Sequence, residues 1–195
     1  MLYAFSRGII RGIYRLLFRL EAKGLENIPA EGPVILCSNH KSLQDPFTLG
    51  AFVPRKVHYM AKAELFKIPV VSQVIRAWGA FPVKRGGVSK EAIRNAIDLL
   101  KSGKVMGIFP EGTRNESLGA AKRGAVTIAV RSGATVIPVA LVGEYRLFRK
   151  VKAVYGAPVD MKPFVEAGTS EAMDAATEKI MSKIREMLQT GRPSA

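Results

Sequence analysis

His40 and Asp45 stand five residues apart in S-N-H-K-S-L-Q-D, residues 38–45, directly after the apolar run V-I-L-C at 34–37. The chain has only two histidines, and this is one of them. A neutral imidazole accepts a hydroxyl proton near neutral pH and typically contributes about 10²–10⁴-fold as a general base. A carboxylate beside it fixes the tautomer and stabilises the imidazolium that forms. Asp45 serves that purpose if the chain turns into a helix between the two residues. Taken alone the pattern is weak, because a lone histidine is more often structural. Ser38, His40 and Asp45 also look like a nucleophile triad in miniature. Neighbours on one strand end do not easily line up that way, and no G-x-S-x-G elbow is present. Cys37 ends an apolar strand and is expected to be inert core packing.

Two further loops add chemistry of a different kind. F-P-V-K-R-G-G, residues 81–87, puts Lys84 and Arg85 past a short apolar run and before flexible glycines. F-P-E-G-T-R-N, residues 109–115, offers Glu111, Thr113 and Arg114 around Gly112, which permits a tight turn. Two arginines on separate loops can clamp a phosphate through bidentate hydrogen bonds; each taken singly reads as a solvated surface arginine. A histidine base, an orienting acid and two such arginines together suggest deprotonation of a hydroxyl on a phosphate-bearing substrate.

For these loops to meet, the intervening elements must carry them to one place. With 195 residues, 48% hydrophobic and 24% charged, the chain is globular and most simply one domain. Strands are expected at Val34–Cys37, Val57–Met60, Phe81–Val83, Val105–Phe109 and Thr135–Leu141, with Val151–Tyr155 as an edge strand. Helices are expected at Asp45–Phe52, at Glu64–Trp78 with a break near Pro69, after Ser89, over Arg123–Arg131 and from about Ser170. The alternation predicts an α/β domain with a largely parallel central sheet flanked by helices. Ligands of such sheets gather beyond the carboxyl ends of the strands, where all three loops fall.

A separate N-terminal segment, residues 1–24, is expected to be an amphipathic helix preceding the domain at 25–195. Arg7, Arg11, Arg15, Arg19 and Lys23 recur every four residues among Leu2, Phe5, Ile9, Ile10, Ile13, Leu16, Leu17, Phe18 and Leu20, with Tyr3 and Tyr14 as amphipathic anchors. It reads either as a core-packing helix with a basic edge or as a helix lying in a membrane interface. Like charges four residues apart want a partner, which favours the interface, with the arginines on lipid phosphates. The formal net charge of +14 points to an anionic partner: a membrane surface, an acidic carrier protein or nucleic acid. No nucleic-acid recognition motif accompanies it. No apolar stretch approaches the ~20 residues that span a bilayer. The single cysteine excludes an internal disulfide and a multi-cysteine zinc site, and no metal-ligand cluster stands out.

The blocks N-H-K-S-L-Q-D, G-A-F-P-V-K-R, F-P-E-G-T-R and V-I-P-V-A, running in order from residue 39 to 140, resemble the four blocks of the glycerolipid acyltransferases. The bacterial 1-acyl-sn-glycerol-3-phosphate acyltransferase group is the nearest pattern. The resemblance implies that His40 is the catalytic base and Asp45 its charge-relay partner. It implies phosphate-binding roles for Arg85 and Arg114 and for Lys62 in M-A-K-A-E-L, with Glu111 and Gly112 organising the third block's loop. Pro82 and Lys84 depart from the commoner residues of the second block, which leaves the exact acceptor open. The implied reaction is direct acyl transfer from an acyl carrier protein or coenzyme A thioester to lysophosphatidic acid, with no cofactor or metal. It would take place at the cytoplasmic face of the cell membrane. Another lysolipid acceptor, or a non-catalytic basic binding module, are the alternatives. His58 has no counterpart in the pattern and is expected to be structural or on the surface.

Overall fold

The computed structural model describes residues 2–83, 90–110 and 118–194. Helix α1 spans Leu2–Phe18, strand β1 Glu21–Lys23, β2 Val34–Ser38, α2 Asp45–Gly50 and β3 Val57–Lys62. A 3-10 turn at Ala63–Lys67 leads into α3, Pro69–Ala77, and β4, Ala80–Val83. There follow α4 Lys90–Lys101, β5 Val105–Ile108, α5 Leu118–Ser132, β6 Thr135–Val142, β7 Lys152–Tyr155, α6 Lys162–Ala167 and α7 Ser170–Thr190. Among the described residues the strands form one sheet in the order β1-β7-β6-β2-β5-β3-β4. The five from β6 to β4 run parallel, β7 is antiparallel to β6, and β1 is parallel to β7.

Alternation along each strand builds two cores, because successive side chains leave a strand on opposite faces. From β2, Ile35 and Cys37 enter one cluster with Ala96 and Leu100 of α4, Ile128 of α5, and Ile180 and Ile184 of α7. Val34 and Leu36 enter the other, with Leu49 of α2, Val53, Tyr59 and Tyr155. The continuous apolar reading of β2 follows from cover on both faces. Gly107 on β5 is required by this second core. A Cβ there would come within 2.5 Å of the Tyr59 ring, so its absence lets that ring lie across β5.

Three expectations are corrected here. The N-terminal helix, expected over 1–24, ends at Phe18; Arg19 adopts φ 44°, Leu20 is buried, and Glu21–Lys23 join the sheet beside β7. Consequently β7 is an interior strand and β1 takes the edge. The arginine side of α1 also leans on the domain. Arg7 donates to the Val53 carbonyl at 2.5 Å and sits over the Tyr3 ring, while Arg11 and Arg15 sit over Phe52. Phe5, Ile9, Ile13 and Leu16 are exposed on one line along the helix, beside the exposed Arg11 and Arg15. Smaller differences are α2 stopping at Gly50, α5 beginning earlier than Arg123, and the short α6.

Candidate active site

β2 delivers the chain to the carboxyl edge of the parallel strands, and Asn39 continues its pairing by side chain. The Asn39 amide donates to the Leu141 carbonyl at 3.2 Å, and its oxygen accepts from the Leu141 amide at 2.8 Å. That bidentate clasp fixes the residue before His40 although the backbone ladder has ended. The imidazole of His40 stacks on Phe109, just past β5, with ring centroids 4.3 Å apart. Its Nδ1 lies 2.9 Å from Asp45 Oδ2. The His40 side chain is 27% exposed and that of Asp45 is 0% exposed.

Asp45 opens α2, and the turn before it aims the backbone at its carboxylate. Oδ2 accepts from the amides of Lys41 at 2.6 Å and Ser42 at 2.7 Å as well as from His40. Oδ1 accepts from the Tyr145 hydroxyl at 2.7 Å. Burial by itself would push the Asp45 carboxyl up. The bonds from His40, Ser42, Tyr145 and Lys41 outweigh it and hold the group below its ordinary value. Asp45 is therefore an anion near neutral pH and only an acceptor. His40 must donate through Nδ1, leaving the Nε2 lone pair free to take a proton.

The short helix α2 is held by tyrosine hydroxyls from several elements. Tyr59 of β3 donates to the Pro46 carbonyl at 2.7 Å, and Tyr155 of β7 donates to the Leu49 carbonyl at 2.7 Å. Tyr145 adds its bond to Asp45 and lies 2.9 Å from Thr48 Oγ1. A six-residue helix has little stability of its own, so these contacts decide where Asp45 sits.

Lys62 is the half-buried last residue of β3. Val34, Val105 and Val57 lie in one row of the sheet, so five residues on, Lys62 comes level with Asn39. Only β5 intervenes, which places Lys62 roughly 10 Å across the edge from the end of β2. β4 and β5 end at this same edge, at Val83 and Ile108. Arg85, Glu111, Gly112 and Arg114, expected to complete the site, lie outside the described residues. On the other side of His40, Lys41 Nζ donates to the Gly143 carbonyl. A cavity of about 400 Å³ opens there, lined by Gly143, Glu144, Arg146, Arg149 and Lys150.

The neighbouring nucleophile candidates are spent on structure. Ser38 is buried and its hydroxyl donates to the Asn39 carbonyl. Burial pushes the Cys37 thiol up to about 12, so it carries no thiolate near neutral pH. Asn39, Phe109 and Tyr145 are positioning features that the sequence reading did not single out. Asn39 and Phe109 lie within quoted blocks, whereas nothing near Tyr145 marks its partner.

A buried aspartate thus holds a histidine at the carboxyl edge of a parallel sheet, and residues 19–142 match the Acyltransferase family model. The chain belongs to the acyltransferase family and is an enzyme of that class. It is 34% identical over 192 residues to the 1-acyl-sn-glycerol-3-phosphate acyltransferase of Bacillus subtilis, a match covering 95% of this chain and 96% of that protein. A chloroplastic 1-acyl-sn-glycerol-3-phosphate acyltransferase of Arabidopsis thaliana is 33% identical over 135 residues, 67% of this chain and 38% of that longer protein. Among solved structures, the 1-acyl-sn-glycerophosphate acyltransferase PlsC of Thermotoga maritima aligns with a TM-score of 0.71 at 27% identity, over 96% of this chain and 81% of that one.

Proposed function

We propose that His40 is the general base of a 1-acyl-sn-glycerol-3-phosphate O-acyltransferase, the activity of this acyltransferase chain. The observation that carries the assignment is the 2.9 Å contact between His40 Nδ1 and a fully buried, four-times-bonded Asp45. The free hydroxyl of lysophosphatidic acid gives its proton to His40 Nε2 as its oxygen bonds to the thioester carbonyl carbon. The resulting oxyanion collapses, the C–S bond breaks, and the thiolate leaves with the proton held by His40. Asp45 remains an anion throughout and stabilises the imidazolium between the two transfers. The thioester supplies the activated acyl group, so the scheme uses no cofactor.

Lys62, Arg85 and Arg114 take the acceptor's phosphate, with Glu111 and Gly112 shaping the loop that carries Arg114. For Lys62 the support is its place level with Asn39 on the same edge. For the arginines it is the motif and the strands that lead to them.

Association with an anionic membrane surface fits the outward stripe of α1 and Leu43, which is 86% exposed on the loop between His40 and Asp45. An apolar side chain held out beside the base suits a site that meets lipid. No helix among the described residues is long and apolar enough to cross a membrane. Peripheral attachment at the cytoplasmic face, where acyl carrier protein or coenzyme A thioesters are available, is the reading adopted. A purified assay with lysophosphatidic acid and each donor class tests it. Formation of phosphatidic acid with either donor supports the activity, and no product with both contradicts it.

A further inference from the structure

Tyr145 follows β6 by three residues, far along the chain from the histidine motif, yet its hydroxyl reaches the carboxylate that orients His40. Proton accounting defines what that hydroxyl does. Thr48 Oγ1 lies 3.2 Å from the Gln44 carbonyl, to which it donates, and so offers Tyr145 only lone pairs. The one phenolic proton therefore has two acceptors, Asp45 Oδ1 at 2.7 Å and Thr48 Oγ1 at 2.9 Å. The anion at the shorter distance takes it, because charge-assisted bonds are the stronger. Burial raises the phenol far above its ordinary value, and the Asp45 charge adds to this, so Tyr145 remains a donor across the working pH range.

We propose that Tyr145 is a positioning residue for the transfer reaction, locking the Asp45 carboxylate so that Oδ2 faces His40, and that helix α1 supplies the wall holding it there. Oδ2 already carries three donors, from His40, Lys41 and Ser42. Oδ1 has Tyr145 as its described partner, in a place closed to solvent. Without that bond the buried oxygen is unsatisfied and the carboxylate is free to turn toward other donors, taking the imidazole out of line. The ring of Tyr145 stands edge-on to Phe18 with centroids 5.7 Å apart, and Phe18 stands edge-on to Tyr14 at 5.2 Å. Backbone bonds tie the same region together: Phe148 N to Leu17 O at 2.6 Å and Val151 N to Phe18 O at 3.0 Å. Phe148 holds φ 60°, a costly conformation for an aromatic residue, where the connection meets α1. A continuous line of contacts thus runs from the helix that carries the outward apolar stripe to the acid that orients the base.

The inference rests on the general-base reading of His40, and the test separates the two. Tyr145→Phe keeps the ring against Phe18 and removes only the hydroxyl. Its kcat is expected to fall about tenfold, the effect of losing one charge-assisted bond, with KM for both substrates within about twofold. The melting temperature is expected to fall by several degrees with cooperative unfolding retained, as one unsatisfied buried carboxylate oxygen without lost packing implies. In an Asp45→Asn background the same change is expected to cost nothing further, since residues acting as a unit are not additive. If the Asp45→Asn rate falls below detection, the far-downfield Nδ1 proton of His40 reports instead, and its displacement in Tyr145→Phe supports the proposal. Unchanged kcat in Tyr145→Phe overturns it. So does a full tenfold loss repeated in the Asp45→Asn background, or an unmoved Nδ1 resonance. Wild-type activity alongside any of these leaves the base assignment standing, while an inactive wild type removes both.

Discussion

The chain's two histidines stand near opposite edges of one sheet, and each has Nδ1 within bonding distance of an oxygen. For His40 the oxygen belongs to the Asp45 carboxylate, 2.9 Å away at the carboxyl edge. For His58 it is the backbone carbonyl of Val105, 3.1 Å away near the amino edge. The carbonyl orients a ring but brings no charge to stabilise an imidazolium. Burial lowers the His58 pKa; the Val105 bond opposes this, and the charges of Lys56 and Lys104 reinforce it. Gly79 is needed beside that ring, since a Cβ there would come within 2.9 Å of it. His58 is a packed ring held to a neutral carbonyl; His40 is a partly exposed ring held to a buried carboxylate. Partner and edge, rather than residue type, separate the two.

The contrast breaks first at Asp45. Asp45→Asn removes the charge that distinguishes the two histidines and is expected to lower kcat by about 10²–10⁴-fold, read in a steady-state assay. A loss below about fivefold would mean that a neutral partner suffices, as at His58. Next come Arg85→Ala and Arg114→Ala. Each is expected to raise KM for lysophosphatidic acid by about tenfold or more while leaving donor KM unchanged, as removal of a charge-assisted phosphate contact should. Unchanged acceptor affinity in both would sink the clamp.

A comparable effect is expected on α1, whose apolar stripe of Phe5, Ile9, Ile13 and Leu16 is exposed. Phe5→Glu with Leu16→Glu should weaken liposome co-sedimentation by at least about tenfold, because each of the two apolar side chains is worth up to about 1.5–3 kcal/mol when fully buried. Activity on detergent-dispersed substrate should change far less. Undiminished sedimentation would contradict the interfacial role.

The smallest effect belongs to His58. Because its folded pKa is depressed, the unfolded chain binds the proton first, and stability is lost as pH falls below the ordinary histidine value of about 6.5. His58→Gln should keep activity within about twofold and flatten the fall in melting temperature between about pH 7 and pH 5. An unchanged slope would show that other groups carry the acid sensitivity.

Local relations were the ones legible in the sequence. His40 and Asp45 meet across a five-residue turn, and the apolar runs of β2, β5 and β6 announce buried parallel strands. β1 was not legible, because E-A-K has no strand signature and exists by pairing with β7 near the other end of the domain. Tyr145 and Asn39 reach partners 100 and 102 residues away, a separation no spacing rule encodes. The four-residue arginine period of α1 was visible, but its orientation was not. That helix is apolar on two sides, and Phe52 on the domain and the helix's own Tyr3 compete with lipid for the guanidinium groups.

The most direct test of the account is a side-by-side rate measurement on purified wild type, His40→Ala and His58→Ala with lysophosphatidic acid and an acyl thioester. A loss of about 10³-fold is expected for His40→Ala in a protein that still unfolds cooperatively, as removal of a general base entails, with His58→Ala within about twofold of wild type. Full transferase activity in His40→Ala would contradict it.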